Sequence, residues 1–146
     1  DNVEDPHNVG AIMRSAEIFG FHGILLPIKG TPGVYPSVVK VSAGASEFLQ
    51  IGKDRNAPAW ARLAREAGYR IVALDGKGSV SLDEITPSER LLLVIGGEDR
   101  AVGRFILNQA DAVAYIPQRG RINSLNASVA AGLAMYRLAG TRIDQP

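Results

Sequence analysis

The sequence contains no cysteine, which excludes disulfide bonds and thiolate metal sites anywhere in its 146 residues. Its two histidines, His7 and His22, are too few for a metal site built on histidine, so we expect no metal. No apolar run approaches the roughly 18 residues of a membrane-spanning helix, and no signal peptide is visible. The formal net charge of +1 is too small to indicate nucleic-acid binding by itself.

The length fits one domain that is large enough to bury a hydrophobic core. Short apolar runs alternate with amphipathic stretches, and near-continuous apolar runs are typical of strands covered on both faces. The predicted strands are 23–27, 69–74, 91–95 and 112–116. The predicted helices are 9–19, 36–48, 59–67 and 124–139, the first stopped by Gly20 and the last by Gly140. This order predicts an α/β fold with a parallel sheet flanked by helices.

A glycine-rich nucleotide-binding fingerprint is also missing. No G-x-G-x-x-G pattern precedes a helix, and no Walker phosphate loop is present. Residues 76–78 read Gly-Lys-Gly but lack both the third glycine and a following helix. These absences argue against a nucleotide-binding domain of the Rossmann type.

The most informative stretch is 123–130, which follows the last predicted strand and opens the last predicted helix. Because the first backbone amides of a helix have no partner within it, α/β proteins bind ligands at such corners. Helix capping by Ser124, with Asn126 in the first turn, accounts for one polar residue. Capping does not explain why Asn123 and Ser128 stand there too, so we interpret the corner as a candidate site.

The last predicted helix has two different faces. Its larger apolar side chains share one face: Leu125, Val129, Leu133 and Tyr136. Its alanines share another: Ala127, Ala130, Ala131 and Ala134. Small residues let another backbone approach closely, and the sequence leaves open whether that neighbour is the core or a second subunit.

Two further polar stretches accompany this corner. Residues 1–10 lead into Arg14, and Asn8 is a good N-cap for a helix that starts at Val9. Arg14 lies off the apolar stripe of this helix, where it either pairs with Glu17 or binds a phosphate group of a ligand. The second stretch, 96–98, reads Gly-Gly-Glu and follows a buried strand. It forms either a plain turn or a loop whose glycines let the backbone approach a ligand closely. Four arginines flank two of the three stretches, 96–98 and 123–130, either as solvated loop charge or as contacts to a ligand: Arg100, Arg104, Arg119 and Arg121.

Together the three stretches resemble the signature blocks of the SpoU/TrmH family of RNA ribose 2′-O-methyltransferases, within the SPOUT superfamily. The first block is matched by Asn8, Gly10 and Arg14. The second is matched by Gly96, Glu98 and Gly103, and the third by Ile116, Pro117 and 124–126. The resemblance covers 1–146 as the catalytic domain. It places Asp1 just after the family's first strand, so that strand and an N-terminal RNA-binding domain are expected upstream.

The resemblance implies an α/β fold with a deep trefoil knot near the C-terminus, a homodimer and a cytoplasmic location. It also implies S-adenosylmethionine as cofactor and RNA as partner, with no membrane and no metal. The catalytic residues it implies are Asn8, Arg14, Glu98, Ser124 and Asn126. The residues it implies around the cofactor are Leu74, Gly96, Gly97, Ile116, Ser124 and Leu125.

The implied reaction is transfer of a methyl group from a sulfonium to a ribose 2′-hydroxyl, which must lose its proton as it attacks. The family assigns that step to the arginine, here Arg14, helped by a phosphate. A guanidinium keeps its proton at neutral pH, so we expect Arg14 to hold the phosphate and hydroxyl in place instead.

The substrate implied by 41–45 and 123–131 is a guanosine of 23S ribosomal RNA, since these stretches look closest to that branch of the family. A transfer-RNA methyltransferase, an antibiotic-resistance rRNA methyltransferase and an inactive RNA-binding module of the same fold remain alternatives.

Overall fold

The computed structural model describes residues 1–139. Within them, the helices are α1 (Pro6–Ile18), α2 (Pro36–Val41), α3 (Ala57–Glu66), α4 (Arg104–Gln109) and α5 (Ala127–Leu138). The strands are β1 (Gly23–Pro27), β2 (Gln50–Asp54), β3 (Arg70–Leu74), β4 (Val80–Ser81), β5 (Leu91–Ile95) and β6 (Ala112–Tyr115). Short 3-10 helices cover Ala45–Glu47 and Leu82–Glu84.

The strands form two parallel sheets. One pairs β1 with β2, and the other has the order β4-β6-β3-β5. Leu74 at the end of β3 stands opposite Ile95 of β5 on one side and Ala114 of β6 on the other. The carboxyl ends of three neighbouring strands therefore meet at one edge of the sheet, and the predicted α/β fold with a parallel sheet flanked by helices is confirmed.

The four predicted strands are present, while two strands and one helix were not predicted. β2 reads Gln-Ile-Gly-Lys-Asp, which has a single apolar residue and lacks the pattern of a buried strand. β4 has only two residues, and α4 has six, too few for a helical repeat to be recognised. These elements owe their structure to tertiary packing more than to local sequence pattern.

Helix α1 starts earlier than predicted, so the prediction that Asn8 caps it is wrong. The cap is Asp5, whose side chain accepts a hydrogen bond from the backbone nitrogen of His7 at 2.8 Å. Pro6 occupies the first helical position, where its fixed φ suits the helix and its missing N–H costs nothing. Asn8 is thereby released from capping and sits buried inside the first turn.

Helix α5 starts later than predicted, at Ala127, so neither Ser124 as cap nor a start at 124 is correct. Its cap is Asn126, whose side-chain oxygen accepts from the backbone nitrogens of Ser128 and Val129 at 2.9 and 3.3 Å. The predicted stop at Gly140 lies outside the described residues.

The helix predicted over 36–48 is also shorter, because α2 ends at Val41. Ala43 and Gly44 follow with φ of 51° and 87°, left-handed values that interrupt a helix. The chain then continues into the 3-10 turn at Ala45–Glu47.

Helix α5 packs through its alanine face. Ala127, Ala131 and Ala134 are buried, and Ala131 belongs to the same apolar cluster as Val9 and Met13 of α1. The alanines therefore serve the core of this chain. The larger apolar side chains of the opposite face stay exposed: Val129, Leu133 and Tyr136. No helix within residues 1–139 is long and apolar enough to cross a membrane.

Candidate functional site

A single side chain, that of Asn126, joins all three polar stretches. Its Nδ2 donates to Oε1 of Glu98 at 2.7 Å and to Oδ1 of Asn8 at 3.1 Å. Its Oδ1 caps α5 and also accepts from the hydroxyl of Ser128 at 2.5 Å. Three residues far apart in sequence thus meet in one hydrogen-bonded junction, which we call the Asn126 junction: Asn8, Glu98 and Asn126.

The orientation of the Asn126 amide follows from its neighbours. Both groups around Nδ2 are oxygens that accept, and two of the groups around Oδ1 are backbone N–H donors. An amide nitrogen carries two hydrogens, one for each acceptor, so a flipped amide would lose every one of these bonds. The junction therefore fixes Asn126 in one conformation.

Glu98 also lies against the start of α5. The backbone nitrogen of Ala127 donates to the same Oε1 atom at 3.3 Å. The free amides of a helix N-terminus stabilise a negative charge, so this place favours a carboxylate. Glu98 is otherwise exposed, and its second oxygen has no hydrogen-bond partner within residues 1–139.

Asn8 contributes the buried side of the junction, with 7% of its surface exposed. Its Oδ1 accepts from Asn126, while its own amide hydrogens take no partner among the described residues. The junction consequently retains two donors on Asn8 and one acceptor oxygen on Glu98 for a ligand.

The loop after β5 is held by the first two residues of the chain. The α-amino group of Asp1 donates to the carbonyl of Ile95 at 2.8 Å, and the Asp1 carboxylate accepts from the nitrogen of Gly103 at 2.8 Å. Asn2 donates to the carbonyl of Ala101 at 3.1 Å.

Both glycines of the second block face backbone. A Cβ on Gly97 would collide with the carbonyl of Asn2, and one on Gly96 would lie 2.6 Å from the nitrogen of Val102. Glycine is thus required at both positions for chain packing, whether or not a cofactor also lies nearby.

Two predicted catalytic residues stand outside the junction. Arg14 is exposed and Ser124 lies in an exposed loop, and neither side chain makes a hydrogen bond or ion pair within the described residues. The alternative pairing of Arg14 with Glu17 is therefore not seen there. Arg14 follows Asn8 by six residues, which places it about 9 Å along α1 and roughly 120° around it.

The predicted cofactor residues gather at the carboxyl ends of three strands. Leu74 ends β3, Gly96 follows β5, and Ile116 follows β6. Residues 117–125 continue from there as an exposed loop whose backbone makes no hydrogen bond to the rest of the described chain. Leu125 ends this loop with 38% of its surface exposed, one residue before the Asn126 junction.

Sequence reasoning missed the parts played by Ser128, Asp1 and Asn2. All three were visible within the recognised stretches, but only their contacts show that Ser128 supports Asn126 and that the chain start braces the loop at 101–103.

A family model described as the SpoU rRNA Methylase family matches residues 1–136. YacO of Bacillus subtilis (strain 168), named as a candidate TrmH family tRNA/rRNA methyltransferase, is 37% identical over 138 residues, covering 94% of this chain and 55% of YacO. The SpoU methyltransferase AviRb from Streptomyces viridochromogenes, solved in complex with AdoMet, has a similar structure with a TM-score of 0.85 at 29% identity. That match covers 96% of this chain and 57% of AviRb.

A third similar structure is that of an RNA 2′-O ribose methyltransferase, with a TM-score of 0.84 at 25% identity, covering 97% of this chain and 54% of that one. This chain spans about half the length of the curated relatives that it matches. The resemblance drawn from the three sequence blocks is thereby confirmed: the chain belongs to the SpoU rRNA methylase family.

Proposed function

We propose that residues 1–146 form the catalytic domain of an RNA methyltransferase that moves a methyl group from S-adenosylmethionine to a ribose 2′-hydroxyl. The observation that carries this proposal is the Asn126 junction. It brings the polar residues of three distant blocks to one corner beside the carboxyl ends of β3, β5 and β6. Ligands bind at such ends in α/β folds.

The residues at this edge fit S-adenosylmethionine. Unpaired backbone groups of 117–125 supply donors and acceptors for an adenine, and the part-exposed side chains of Leu74, Ile116 and Leu125 supply an apolar surface for it. Gly96 and Gly97 would contribute backbone. When bound, the cofactor supplies an electrophilic methyl group on a cationic sulfonium.

The Asn126 junction would orient the attacking ribose. The free amide hydrogens of Asn8 suit a ribose or phosphate oxygen, and the free oxygen of Glu98 suits a hydroxyl donor. Ser124 lies on the loop beside them and would contact the same sugar. Holding the hydroxyl in line for attack accounts for much of the rate that such a site can provide.

Arg14 would act on the RNA rather than in the junction. It is exposed, and its fork of donors matches a phosphate bidentately. Because a guanidinium keeps its proton, Arg14 would fix the phosphate and the 2′-hydroxyl, and the proton lost by the hydroxyl would be shared with that phosphate. A looped or single-stranded RNA suits such a site, since the ribose must be splayed into it.

Ribosomal RNA, at a 23S guanosine, is the substrate we favour on the resemblance of 41–45 and 123–131, with transfer RNA as the alternative. We expect the protein to methylate this RNA in the cytoplasm. The trefoil knot belongs to the same proposal, supported by β6, the last strand, lying between β3 and β4 and so inside the sheet.

A homodimer is supported by the exposed apolar face of α5 and its neighbours. Leu133 and Tyr136 are 46% and 72% exposed, and the Tyr136 ring meets Phe19 edge-on at 5.8 Å. Arginine in place of Leu133 should yield a monomer in light scattering, whereas Leu63→Arg should leave the mass unchanged. Equal masses for both variants would reject this interface.

The direct test is methylation of RNA. The protein, S-adenosylmethionine and unmodified 23S or transfer RNA are incubated, and the RNA is digested to nucleosides for mass spectrometry. A 2′-O-methylated nucleoside should appear, and Arg14→Ala should reduce it by on the order of 100-fold or more while cofactor binding persists. A base-methylated product, or full activity of Arg14→Ala, would overturn the proposal.

A further inference from the structure

The carboxyl ends of β1 and β2 carry a cluster of exposed cations. Lys29 follows β1, Lys53 lies near the end of β2, and Arg55 follows β2, which pairs with β1 in parallel. All three side chains are exposed, and none makes an ion pair within residues 1–139. Asp54 is the only acidic residue in the loop after β1 and at the end of β2, so this end of the two-stranded sheet is positively charged.

A tyrosine stands beside these cations with its ring exposed. Tyr35 directly precedes α2, and 56% of its surface is exposed. A Cβ on Gly33 would lie 3.1 Å from Cε1 of Tyr35 and 3.5 Å from Nζ of Lys53, so the ring packs over the Gly33 backbone and the ammonium group lies close by. Prolines at 32 and 36 fix φ on both sides of this short stretch. A ring held in this way loses little conformational freedom when a flat ligand stacks on it.

The loop that carries Tyr35 lies next to the Asn126 junction. A Cβ on Gly30 would lie 2.7 Å from Oδ1 of Asn2 and 3.3 Å from its Cα, so the loop touches Asn2. The carbonyl of Asn2 lies in turn against Gly97, one residue before Glu98 of the junction. The cations and the exposed ring therefore share the edge of the molecule at which the candidate site lies.

Exposed cations around an exposed aromatic ring match the chemistry of single-stranded RNA. Lysine and arginine side chains pair with phosphates, and every base has a flat face that stacks on an aromatic ring. Base-paired RNA keeps those faces inside its own stack, so the ring favours unpaired nucleotides. An acidic peptide would satisfy the cations but would leave the ring without a flat partner.

We propose that Lys29, Tyr35, Lys53 and Arg55 form a surface that binds single-stranded RNA beside the candidate site, and we call it the Tyr35 surface. An unpaired base near the methylated nucleotide stacks on Tyr35, and the three cations bind the flanking phosphates. This inference rests on the proposed RNA methyltransferase function and adds to it the part of the RNA that lies outside the reacting ribose. The Tyr35 surface positions RNA and takes no part in methyl transfer.

The test measures binding of a fluorescent single-stranded adenosine RNA of about 12 nucleotides by anisotropy, without S-adenosylmethionine. Tyr35→Leu removes the ring but retains an apolar side chain, and it should weaken binding by about fivefold or more. Tyr35→Phe retains the ring and should bind like the unchanged chain. Tyr69→Leu is the matched control, because Tyr69 is 43% exposed but lies at the amino end of β3, and it should also bind like the unchanged chain.

The cations are tested through the salt dependence of the same binding. Lys53→Gln should lower the slope of log affinity against log salt by about 0.7, the value for one phosphate contact on a single strand. Arg62→Gln removes the same charge from α3, where Arg62 is paired with Glu66 at 4.0 Å, and should leave the slope unchanged. Tyr35→Leu should lower the affinity without changing the slope, because stacking on the ring releases no counterions.

Photo-crosslinking locates the contact. The same RNA with one central 4-thiouridine should attach to the tryptic peptide 30–40, which contains Tyr35, and not to the peptide 66–70, which contains Tyr69. Equal affinities of Tyr35→Leu and Tyr69→Leu, an unchanged slope in Lys53→Gln, or no crosslink to 30–40 would overturn the proposal.

None of these measurements depends on methyl transfer, so the two proposals fail separately. A base-methylated product from a chain that passes the binding tests would overturn the proposed function alone. Ribose 2′-O-methylation by a chain that fails them would overturn the Tyr35 surface alone.

Discussion

At the scale of single residues, the candidate site depends on Asn126, whose side chain has two structural roles. Asn126 caps α5 with its oxygen and bridges Asn8 and Glu98 with its nitrogen. A residue that only capped could be serine, threonine or aspartate. The bridge also requires two donor hydrogens, one for Asn8 and one for Glu98, on an atom separate from the capping oxygen. A hydroxyl has a single hydrogen on its only oxygen and a carboxylate has none, so among these capping residues asparagine alone satisfies both demands.

Replacing Asn126 with aspartate separates its role as a helix cap from its role as a bridge. The carboxylate retains the cap but faces the oxygens of Asn8 and Glu98 without a donor. We expect about 1–3 kcal/mol of lost stability and a loss of methyl transfer, measured by urea unfolding and the nucleoside assay.

Asn56→Asp is the matched control, because Asn56 also caps a helix through Oδ1, to Ala59 at 3.1 Å, and bridges nothing within the described residues. It should change stability by less than about 0.5 kcal/mol. Equal effects at both caps would show that the bridge contributes nothing.

Asn8, Glu98 and Asn126 were chosen as candidates from the sequence, because they stand in three blocks of recognisable order and spacing. It could not show that they bond to one another, since the contact between Asn8 and Asn126 spans 118 residues. It also misplaced the caps of α1 and α5 by three and two positions. Several good capping residues stand in a row at each start, and only packing selects among them.

At the scale of elements, α1 packs between α2 and α5, and a glycine with different surroundings lies at each of the two contacts. A Cβ on Gly10 of α1 would lie 2.8 Å from the carbonyl of Val38 in α2. A Cβ on Gly132 of α5 would lie 3.5 Å from the Ser15 hydroxyl in α1, an ordinary contact. The first glycine permits close packing, and the second only weakens its own helix.

Alanine at these two positions should therefore act with opposite signs. Gly10→Ala should destabilise by about 1–3 kcal/mol, because backbone must move. Gly132→Ala should stabilise by up to about 1 kcal/mol, the usual gain in a helix interior. Thermal unfolding measures both, and a shared sign would contradict the packing described for α1.

The strands that sequence reasoning found are those whose apolar runs pack between helix layers. β2 was not predicted because its five residues include only one large apolar side chain and so form no such run. The helix predicted over 36–48 was too long because residues 36–42 carry ordinary helical signals, and the left-handed turn at Ala43 has none. The sequence pattern therefore located the elements with continuous apolar runs and missed the strands that are polar or very short.

At the scale of the whole molecule, three part-exposed leucines of similar exposure lie in different places. Leu125 lies at the strand ends, Leu133 on the outer face of α5, and Leu63 on α3, with exposures of 38%, 46% and 55%. Leu125→Arg tests the cofactor site and Leu133→Arg tests the dimer interface, and Leu63→Arg is the control for both.

The most direct test of the central claim is calorimetric titration of S-adenosylmethionine into this chain. One saturable site per chain is expected, lost in Leu125→Arg and retained in Leu63→Arg, with circular dichroism confirming that all three proteins are folded. No binding to the folded chain, or equal binding by both variants, would contradict a cofactor site at the corner next to the Asn126 junction.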